Sequence, residues 1–261
     1  MSFHKPLDEI FPSVPDGLDA RALDPAQVPA HVAVIMDGNG RWAKERGKVR
    51  LAGHKAGIGA VRETIRCASD VGVHYLTIYA FSSENWKRPE DEVRGLMDLF
   101  AKTMLAEVDG LHEEHVRVMT IGDTSALPPK TRQAFADAWE KTRNNTGMTL
   151  VVSVNYGGRA EILRAANDIA REAAAKQAAG VPFAPVDEAA FVRHLDTADI
   201  PDPDLVIRTS GEMRISNFLL WQIAYSEFYI TDVLWPDFDR YDFLRALLDF
   251  QGRTRRFGGV K

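Results

Sequence analysis

Five short apolar runs alternate with longer helical patterns along this chain of 261 residues. The helical patterns cover about 54–70, 90–108, 129–144, 158–178, 188–195 and 241–251. Parallel strands must be joined by crossover segments, which are usually helices. This alternation therefore predicts an α/β fold, in which helices flank a mostly parallel central sheet. The predicted strands cover 31–36, 74–80, 116–122, 148–154 and 204–209.

No linker or repeat divides residues 31–261, so we expect a single domain there. Residues 1–30 mix acids with five prolines, and we interpret them as a loose N-terminal arm. No stretch approaches the roughly 18 apolar residues that span a membrane, and the N-terminus lacks a signal-peptide pattern. These features predict a soluble, cytoplasmic protein with at most peripheral membrane contact.

Composition excludes several kinds of site. The formal net charge of −5 argues against broad nucleic-acid binding, which usually needs a basic surface. Cys67 is the only cysteine, so the chain forms no internal disulfide and no cysteine metal cage. Any metal site must therefore use other ligands.

The first predicted strand ends on an acid and a glycine turn. Asp37 follows the apolar run, and the next four residues supply glycines, an amide and a guanidinium. An acid after a strand is often only a turn residue or a helix cap. Its neighbours here suit a diphosphate together with Mg²⁺, which needs hard oxygen ligands and compensating cations. Those neighbours are Gly38, Asn39, Gly40 and Arg41.

Polar clusters also follow other predicted strands. After the strand at 74–80 come Ser82, Ser83, Glu84, Asn85, Trp86 and Arg88. A capped loop explains most of that cluster, but not an exposed tryptophan beside an arginine. After the strand at 204–209, two arginines with interleaved hydroxyls resemble an anion clamp, although a solvated loop would look the same. Its members are Arg208, Thr209, Ser210, Arg214 and Ser216.

Three further features are open to two interpretations. Arg50 and His54 lie four residues apart at a predicted helix start and can face one ligand. Glu227 lies in an apolar run, where a carboxylate should be protonated, paired or metal-bound. The helix at 90–108 has an apolar face that is either core or the wall of a ligand tunnel. That face carries Val93, Leu96, Met97, Phe100, Met104 and Leu105.

The carboxyl ends of parallel strands lie at one edge of a sheet, so these clusters should converge. Five arginines exceed the needs of one monophosphate and suit two diphosphates that share a site. The arginines are Arg41, Arg50, Arg88, Arg208 and Arg214.

Four long blocks resemble the cis-prenyltransferase family, of the undecaprenyl diphosphate synthase type. They are HVAVIMDGNGRWAKERGKVRLAGHKAG (31–57), YAFSSENWKRP (79–89), VNYGGRAEI (154–162) and RTSGEMRISNFLLWQIAYSEFY (208–229). The resemblance covers nearly the whole chain. It implies a homodimer of α/β subunits that extends an allylic diphosphate, typically farnesyl diphosphate, with isopentenyl diphosphate units. The product would be a long-chain cis-polyprenyl diphosphate, such as the precursor of a cell-wall lipid carrier.

The resemblance also implies roles for individual residues. Asp37 would engage Mg²⁺ and the diphosphates, with Glu227 assisting the metal. Asn85 would be the base or would organise it, although a diphosphate oxygen or a water could accept the proton. Arg256 and Gly258 resemble a signature that reaches the partner's active site. Substrate contacts are implied for Gly38, Asn39, Gly40, Arg41, Trp42, Arg50, His54, Ser82, Ser83, Glu84, Trp86, Arg88, Arg208, Arg214, Ile215 and Ser216.

Three alternatives predict different sequence features. A haloacid-dehalogenase-like phosphatase also places an acid and a glycine turn after a strand, but it needs a second aspartate where this chain has Asn39. The helical trans-prenyltransferases need a DDxxD motif, which the sequence lacks. A non-catalytic prenyltransferase subunit would lose the acid and the arginines, whereas this chain keeps Asp37, Arg208 and Arg214.

Overall fold

A computed structural model describes residues 3–182 and 184–254. Six parallel strands form a single sheet in this part of the chain, in the order β3-β4-β2-β1-β5-β6. The predicted α/β class is confirmed, with every neighbouring pair of strands parallel. The strands are β1 (His31–Ile35), β2 (Tyr75–Ser82), β3 (Arg117–Ile121), β4 (Thr149–Tyr156), β5 (Leu205–Arg208) and β6 (Glu227–Ile230).

Helices connect and cover these strands. The six predicted helices are present, and α3 begins four residues earlier than its pattern indicated. None of these helices is long and apolar enough to cross a membrane, within the residues described. The α-helices of the described residues, including two that were not predicted, are α1 (Leu7–Ile10), α2 (Asn39–Glu45), α3 (Arg50–Asp70), α4 (Glu90–Glu113), α5 (Pro129–Thr142), α6 (Gly158–Ala178), α7 (Glu188–Val192) and α8 (Arg240–Gln251).

Alternate residues of the buried strands belong to two separate hydrophobic cores, one on each face of the sheet. In β1, Val32 and Val34 belong to a large apolar cluster on one face of the sheet, whereas Ala33 and Ile35 belong to a smaller one on the other. Successive side chains of a strand point to opposite faces, so one uniformly apolar run supplies both cores. The larger cluster contains residues of α3, α4, α5 and α8.

The prediction of a loose N-terminal arm is corrected by the packing of residues 3–30. Ile10 and Phe11 are each 2% exposed and belong to the larger core. Arg240 also donates to the carbonyl of Ile10 over 2.9 Å, which ties the arm to α8. Proline-rich composition restricts helix formation but does not prevent a segment from burying apolar side chains. The predicted domain boundary at residue 31 stays a prediction.

A substitution in the arm tests this packing. We expect Ile10→Val to lower the free energy of unfolding by about 1 kcal/mol, because it removes one buried methyl group. Val181→Ala, at a half-exposed position, is the control and should change it by less than about 0.5 kcal/mol. Urea unfolding of both variants provides the measurement. Equal effects in the two variants would contradict the packed arm.

Candidate active site

Asp37 lies just beyond β1 at the carboxyl edge of the sheet, with its carboxylate held from two sides. Oδ1 accepts from the backbone N–H of Gly38 over 2.7 Å, and Oδ2 accepts from Nη2 of Arg208 over 2.8 Å. Its side chain remains one-third exposed. The acid is therefore fixed in direction and open to a ligand.

Gly38 makes the sharp exit from β1 possible. Its φ of 103° lies in the left-handed region, which side chains other than glycine rarely adopt. A Cβ there would also come within 3.0–3.1 Å of Leu234 and Ser210. The residue directly precedes α2, so the turn presents Asp37 beside a helix N-terminus.

Arg208, the last residue of β5, is the centre of the site. Its side chain is only 3% exposed, and its Nη1 donates to Oγ of Ser216 over 2.9 Å and to the carbonyl of Arg214. Together with the bond to Asp37, these contacts join two strand ends and the loop after β5. A buried guanidinium with a carboxylate partner is a strong, directional anchor.

A second pair of arginines shares one carboxylate. Arg41 and Arg214 each donate to a different oxygen of Glu212. The hydrogen bond from Arg41, followed by that from Arg214, holds the pKa of Glu212 below its usual value. Arg41 also donates to the carbonyl of Ser210 over 2.9 Å. The side chains of both arginines remain about half exposed.

The remaining predicted arginines are also joined by a carboxylate. Nε of Arg50 lies 3.3 Å and Nη1 of Arg88 lies 3.1 Å from the same Glu92 oxygen. Burial, with Arg88 and Arg50 contributing positive charge, lowers the pKa of His54 to about 4. The three basic side chains therefore lie in one electrostatic neighbourhood, with His54 neutral at pH 7.

A cavity of about 350 Å³ opens beside these groups. Its mouth carries polar residues of the strand ends, and its interior is mainly apolar and lies between the sheet and helices α3 and α4. The polar lining at the mouth consists of Asp37, Asn39, His54, Ser82, Asn85, Arg88, Arg208, Arg214 and Ser216, and α4 adds Thr103 and Glu107. The apolar lining includes Ile58, Val61, Ile65, Ile78, Leu99, Phe100, Met104, Leu111, Phe135, Leu150, Val152 and Trp235.

Buried polar atoms without a partner concentrate at this mouth. Within the described chain, seven buried side-chain N and O atoms lack a hydrogen bond, and four belong to this region. Buried polar atoms normally have partners, so such a concentration marks positions where a polar ligand binds. The four atoms are Oδ1 of Asn39, Nε2 of His54, Nε of Arg208 and Oγ of Ser210.

Nine of the predicted site residues line this cavity, and others only border it. Gly38 directly follows the lining residue Asp37, whereas Gly40, Arg41 and Arg50 contact residues beside the lining. A Cβ on Gly40 would approach the Arg50 side chain to 3.0 Å, so this glycine allows Arg50 to pack closely. Ile215, which is partly exposed, does not line the cavity.

The loop after β2 is held by contacts that the sequence did not reveal. Trp86 donates from Nε1 to Oδ1 of Asn155 over 2.7 Å and packs edge-on against Phe81. Glu84 accepts from Nδ2 of Asn217 over 2.6 Å, and Ser83 contacts Glu84. These three residues of the cluster lie outside the cavity lining. The contacts of Trp86 with Asn155 and Phe81 of the same chain account for its position beside Arg88.

Trp42 also lies outside the cavity lining. Its Nε1 donates to Asp237 over 2.7 Å, and the guanidinium of Arg46 stacks 4.3 Å from the centre of its ring. These contacts fix Trp42 on the outer face of α2. Its predicted substrate contact stays a prediction.

Glu227 lies far from Asp37 within one chain. It begins β6 and pairs with Leu205, three residues or about 10 Å before Arg208 along β5. Its carboxylate binds Nη1 of Arg253 over 2.8 Å. The sequence correctly required a partner for this acid, but that partner is an arginine. Arg256 and Gly258 lie outside the described residues.

Sequence reasoning placed Thr209 in the predicted anion clamp but missed that Thr209 and Trp235 lock the backbone of Asp37. The hydroxyl of Thr209 donates to the Asp37 carbonyl over 2.6 Å, and the backbone N–H of Trp235 donates to the same atom over 3.0 Å. Gly57 lets α3 approach, because a Cβ there would lie 2.6 Å from Asn39 and 2.8 Å from Trp235. Of Trp235 and Gly57, only Gly57 could have been noticed in the sequence, because a glycine inside an apolar helix pattern indicates a close approach of another element.

The apolar face predicted on helix 90–108 divides between two environments. Phe100 and Met104 line the cavity, whereas Val93, Leu96 and Met97 are buried in the core. Leu105, in contrast, is half exposed. Helix α3 supplies the opposite wall, which the sequence did not single out.

Buried His54 gives stability a defined pH dependence. Its pKa is about 4 in the fold and 6.5 when unperturbed, so between these pH values the unfolded chain binds more protons. The free energy of unfolding then decreases as pH falls from about 6.5 towards 4. We expect His54→Gln to remove about 2 kcal/mol of the change between pH 7 and pH 5, measured by urea unfolding at both values.

Buried His31 provides the reference for that measurement. Burial also lowers its pKa to about 4, so it contributes with the same sign and stays in the variant. In His54→Gln, the free energy of unfolding should therefore still increase with pH, but with a smaller slope than in the wild type. An unchanged slope would show that His54 takes up its proton at its ordinary pKa.

Asp37 fits one mode of magnesium binding. Mg²⁺ is commonly held by one or two carboxylates together with substrate phosphates and water. Among residues 3–182 and 184–254, no three His, Cys, Asp or Glu side chains form a ready-made metal cage. The open Asp37 carboxylate and the unpartnered Asn39 oxygen are suitable ligand chemistry for an ion that arrives with a diphosphate.

Comparisons with known proteins identify the family of the chain. A family model described as "Putative undecaprenyl diphosphate synthase" matches residues 35–258. An isoprenyl transferase of Heliobacterium mobile is 51% identical over 239 residues, which are 92% of this chain and 91% of that protein. One of Clostridium perfringens is 49% identical over 235 residues, which are 90% and 92% of the two chains.

Solved structures show the same architecture. Lavandulyl diphosphate synthase from Lavandula x intermedia, in complex with dimethylallyl diphosphate, matches with a TM-score of 0.84 and 39% identity. That match covers 90% of this chain and 100% of the other. A probable undecaprenyl diphosphate synthase from Campylobacter jejuni matches with a TM-score of 0.73 and 29% identity, over 88% and 99% of the two chains.

Proposed function

The chain belongs to the undecaprenyl diphosphate synthase family of prenyltransferases, and from this premise we propose that it adds isopentenyl diphosphate units to farnesyl diphosphate. One observation carries the proposal. Asp37 and Arg208 lie at the mouth of an apolar cavity where four buried polar atoms lack partners. The charged and polar groups of the mouth suit diphosphates, and the mainly apolar interior suits a prenyl tail.

The allylic diphosphate is assigned to the turn after β1. After the left-handed Gly38, the N-terminus of α2 offers backbone N–H groups, and Arg41 is half exposed beside them. Helix N-termini attract anions through their unpaired N–H groups and their dipole. The dimethylallyl diphosphate complex of the related lavandulyl synthase supports this choice of ligand class.

The isopentenyl diphosphate is assigned to the loop after β5. Ser216 and the guanidinium groups of Arg208 and Arg214 line the cavity there. Arginine binds phosphate oxygens through two parallel N–H donors, so this group suits a second diphosphate. Asn85, whose Oδ1 accepts from the backbone of Ser82 over 3.2 Å, faces the same cavity.

The reaction would place negative charge where the arginines lie. As the allylic C–O bond breaks, charge accumulates on the departing diphosphate, and fixed cations stabilise it most in a site shielded from water. The isopentenyl double bond attacks the allylic carbon, and a proton then leaves the new unit. The acceptor is a diphosphate oxygen, or a water or base that Asn85 organises.

We propose Mg²⁺ as the cofactor, with Asp37 as the protein ligand. The ion would supply Lewis-acid stabilisation of the diphosphate oxygens. Arg208 holds the Asp37 carboxylate in one direction through its 2.8 Å bond. Glu227 lies at the opposite edge of the sheet in the same chain, so a metal role for it requires a second copy of the chain.

The predicted setting is a cytoplasmic homodimer with peripheral membrane contact during product release. A long-chain product such as undecaprenyl diphosphate, the precursor of a cell-wall lipid carrier, is too apolar for free transfer through water. Neither nucleic acid nor a transmembrane segment has a role in this proposal. The oligomeric state is open to direct measurement by light scattering.

Radiolabelled isopentenyl diphosphate tests the proposal directly. The protein is incubated with farnesyl diphosphate and Mg²⁺, and we expect labelled butanol-extractable product that disappears on adding a chelator. Mass analysis of the product then gives its length. Absence of labelled product would favour a non-catalytic subunit, and release of inorganic phosphate without condensation would favour the phosphatase alternative.

A further inference from the structure

We propose that the Arg62–Glu107 ion pair is a side gate in the cavity wall, through which a growing prenyl chain passes beyond the closed cavity. The inference rests on the proposed function, because it concerns the length of that reaction's product. The pair joins α3 to α4 at the edge of the cavity wall, with Arg62 half exposed. The polar residues of the mouth take no part in it.

Glu107 is out of place in the wall that it forms. It lines the cavity from α4 together with Met104 and Leu111, one turn before and one turn after it. The facing wall carries Val61 and Ile65 of α3. A carboxylate beside an apolar ligand is unfavourable unless a cation pairs with it.

Arg62 supplies that cation from the outside. It follows Val61 on α3, and its guanidinium binds the Glu107 carboxylate while half of its side chain stays exposed. The hydrogen bond that Arg62 donates to Glu107 raises the pKa of Arg62. The ion pair thus extends from the cavity to the protein surface.

Volume makes such an exit necessary for a long product. A cavity of about 350 Å³ is near the lower limit for small-molecule sites, so a chain that continues to grow must displace part of the wall. Phe135 and Leu150 are buried core residues, and moving them requires repacking. A partly exposed ion pair separates more readily, because water replaces its contacts.

Product length in Glu107→Ala tests the gate. We expect the distribution to move to longer chains by several isoprene units, because alanine leaves the gap between α3 and α4 unsealed. Glu107→Leu closes the gap with apolar atoms and should shift the product distribution less than Glu107→Ala does. Unchanged or shorter products in Glu107→Ala, from an active enzyme, would overturn the gate while leaving the proposed function intact.

Glu114→Ala is the matched control. Glu114 follows α4 and pairs with Arg66 of the same helix α3 over 3.5 Å, but neither residue lines the cavity. Its removal should leave the product distribution unchanged. A shift as large as that of Glu107→Ala would show that any ion pair between these segments affects length, and would overturn the assignment.

Binding of alkyl phosphates tests the gate without turnover. In the wild type, the affinity for alkyl phosphates, measured by calorimetry, should rise about fourfold for each methylene added to the alkyl chain. It should level off once the chain fills the cavity. In Glu107→Ala the levelling should move to longer chains. Identical levelling in both proteins would overturn the gate, and this result would stand even if no isopentenyl diphosphate were incorporated.

Discussion

Asp37→Ala is expected to lower turnover by roughly 10³-fold or more, because it removes the proposed metal ligand at the point where charge develops. The substitution also leaves Arg208, only 3% exposed, without its carboxylate. Bonds from Arg208 to Ser216 and to the Arg214 carbonyl remain, so the fold should survive with reduced stability. Initial rates with labelled isopentenyl diphosphate measure the first effect, and thermal unfolding measures the second.

Two companion variants separate charge from packing. Asp37→Asn keeps the shape and an oxygen acceptor for Gly38 but removes the charge, and it should be nearly as inactive as alanine. Asp123→Ala removes an acid that follows β3 and caps a short helix away from the cavity. It should cost about 1 kcal/mol of stability and leave turnover unchanged. Near-normal turnover in Asp37→Asn would show that the metal role is misplaced.

Arg208→Lys should both weaken isopentenyl diphosphate binding and destabilise the fold. An ammonium group keeps the charge but lacks the planar fork that reaches Asp37 and Ser216 together. We expect the KM for isopentenyl diphosphate to rise about 100-fold and the free energy of unfolding to fall by about 3 kcal/mol. Steady-state kinetics and urea unfolding measure the two effects.

Arg164→Lys provides the control for Arg208. Arg164 binds Asp196 through one nitrogen at 2.9 and 2.8 Å, in a partly exposed pair outside the cavity. Its replacement should change stability by less than about 1 kcal/mol and should not change KM. Similar results for the two arginines would mean that Arg208 is a structural residue rather than a substrate ligand.

The sheet and the acid at its edge could be predicted because their signals are local. An apolar run of strand length, then Asp37 and Gly38, is visible within eight residues. The convergence of Arg208 with Asp37 follows from parallel topology alone. Their hydrogen bond is the geometric outcome that this reasoning anticipated.

Other features depend on contacts between distant parts of the chain. Strand β6 is short, half-buried and at the sheet edge, so its periodicity is too weak to stand out. Trp235 binds Asp37 through a backbone N–H, which no side-chain pattern encodes. The apolar face of α4 could not be divided between core and cavity wall, because both environments select the same residues.

Glu212 gives the mouth of the cavity a built-in competitor. Its two carboxylate oxygens accept hydrogen bonds from Arg41 and Arg214 at the same time. An anion that takes the N–H groups bonded to Glu212 has to displace this carboxylate, while the rest of each half-exposed guanidinium stays open to solvent. A ligand with a single negative oxygen replaces only one of the two bonds, whereas a diphosphate has enough oxygens to replace both. The shared carboxylate thus favours multivalent anions at these two arginines over the small monovalent anions of the surrounding solution.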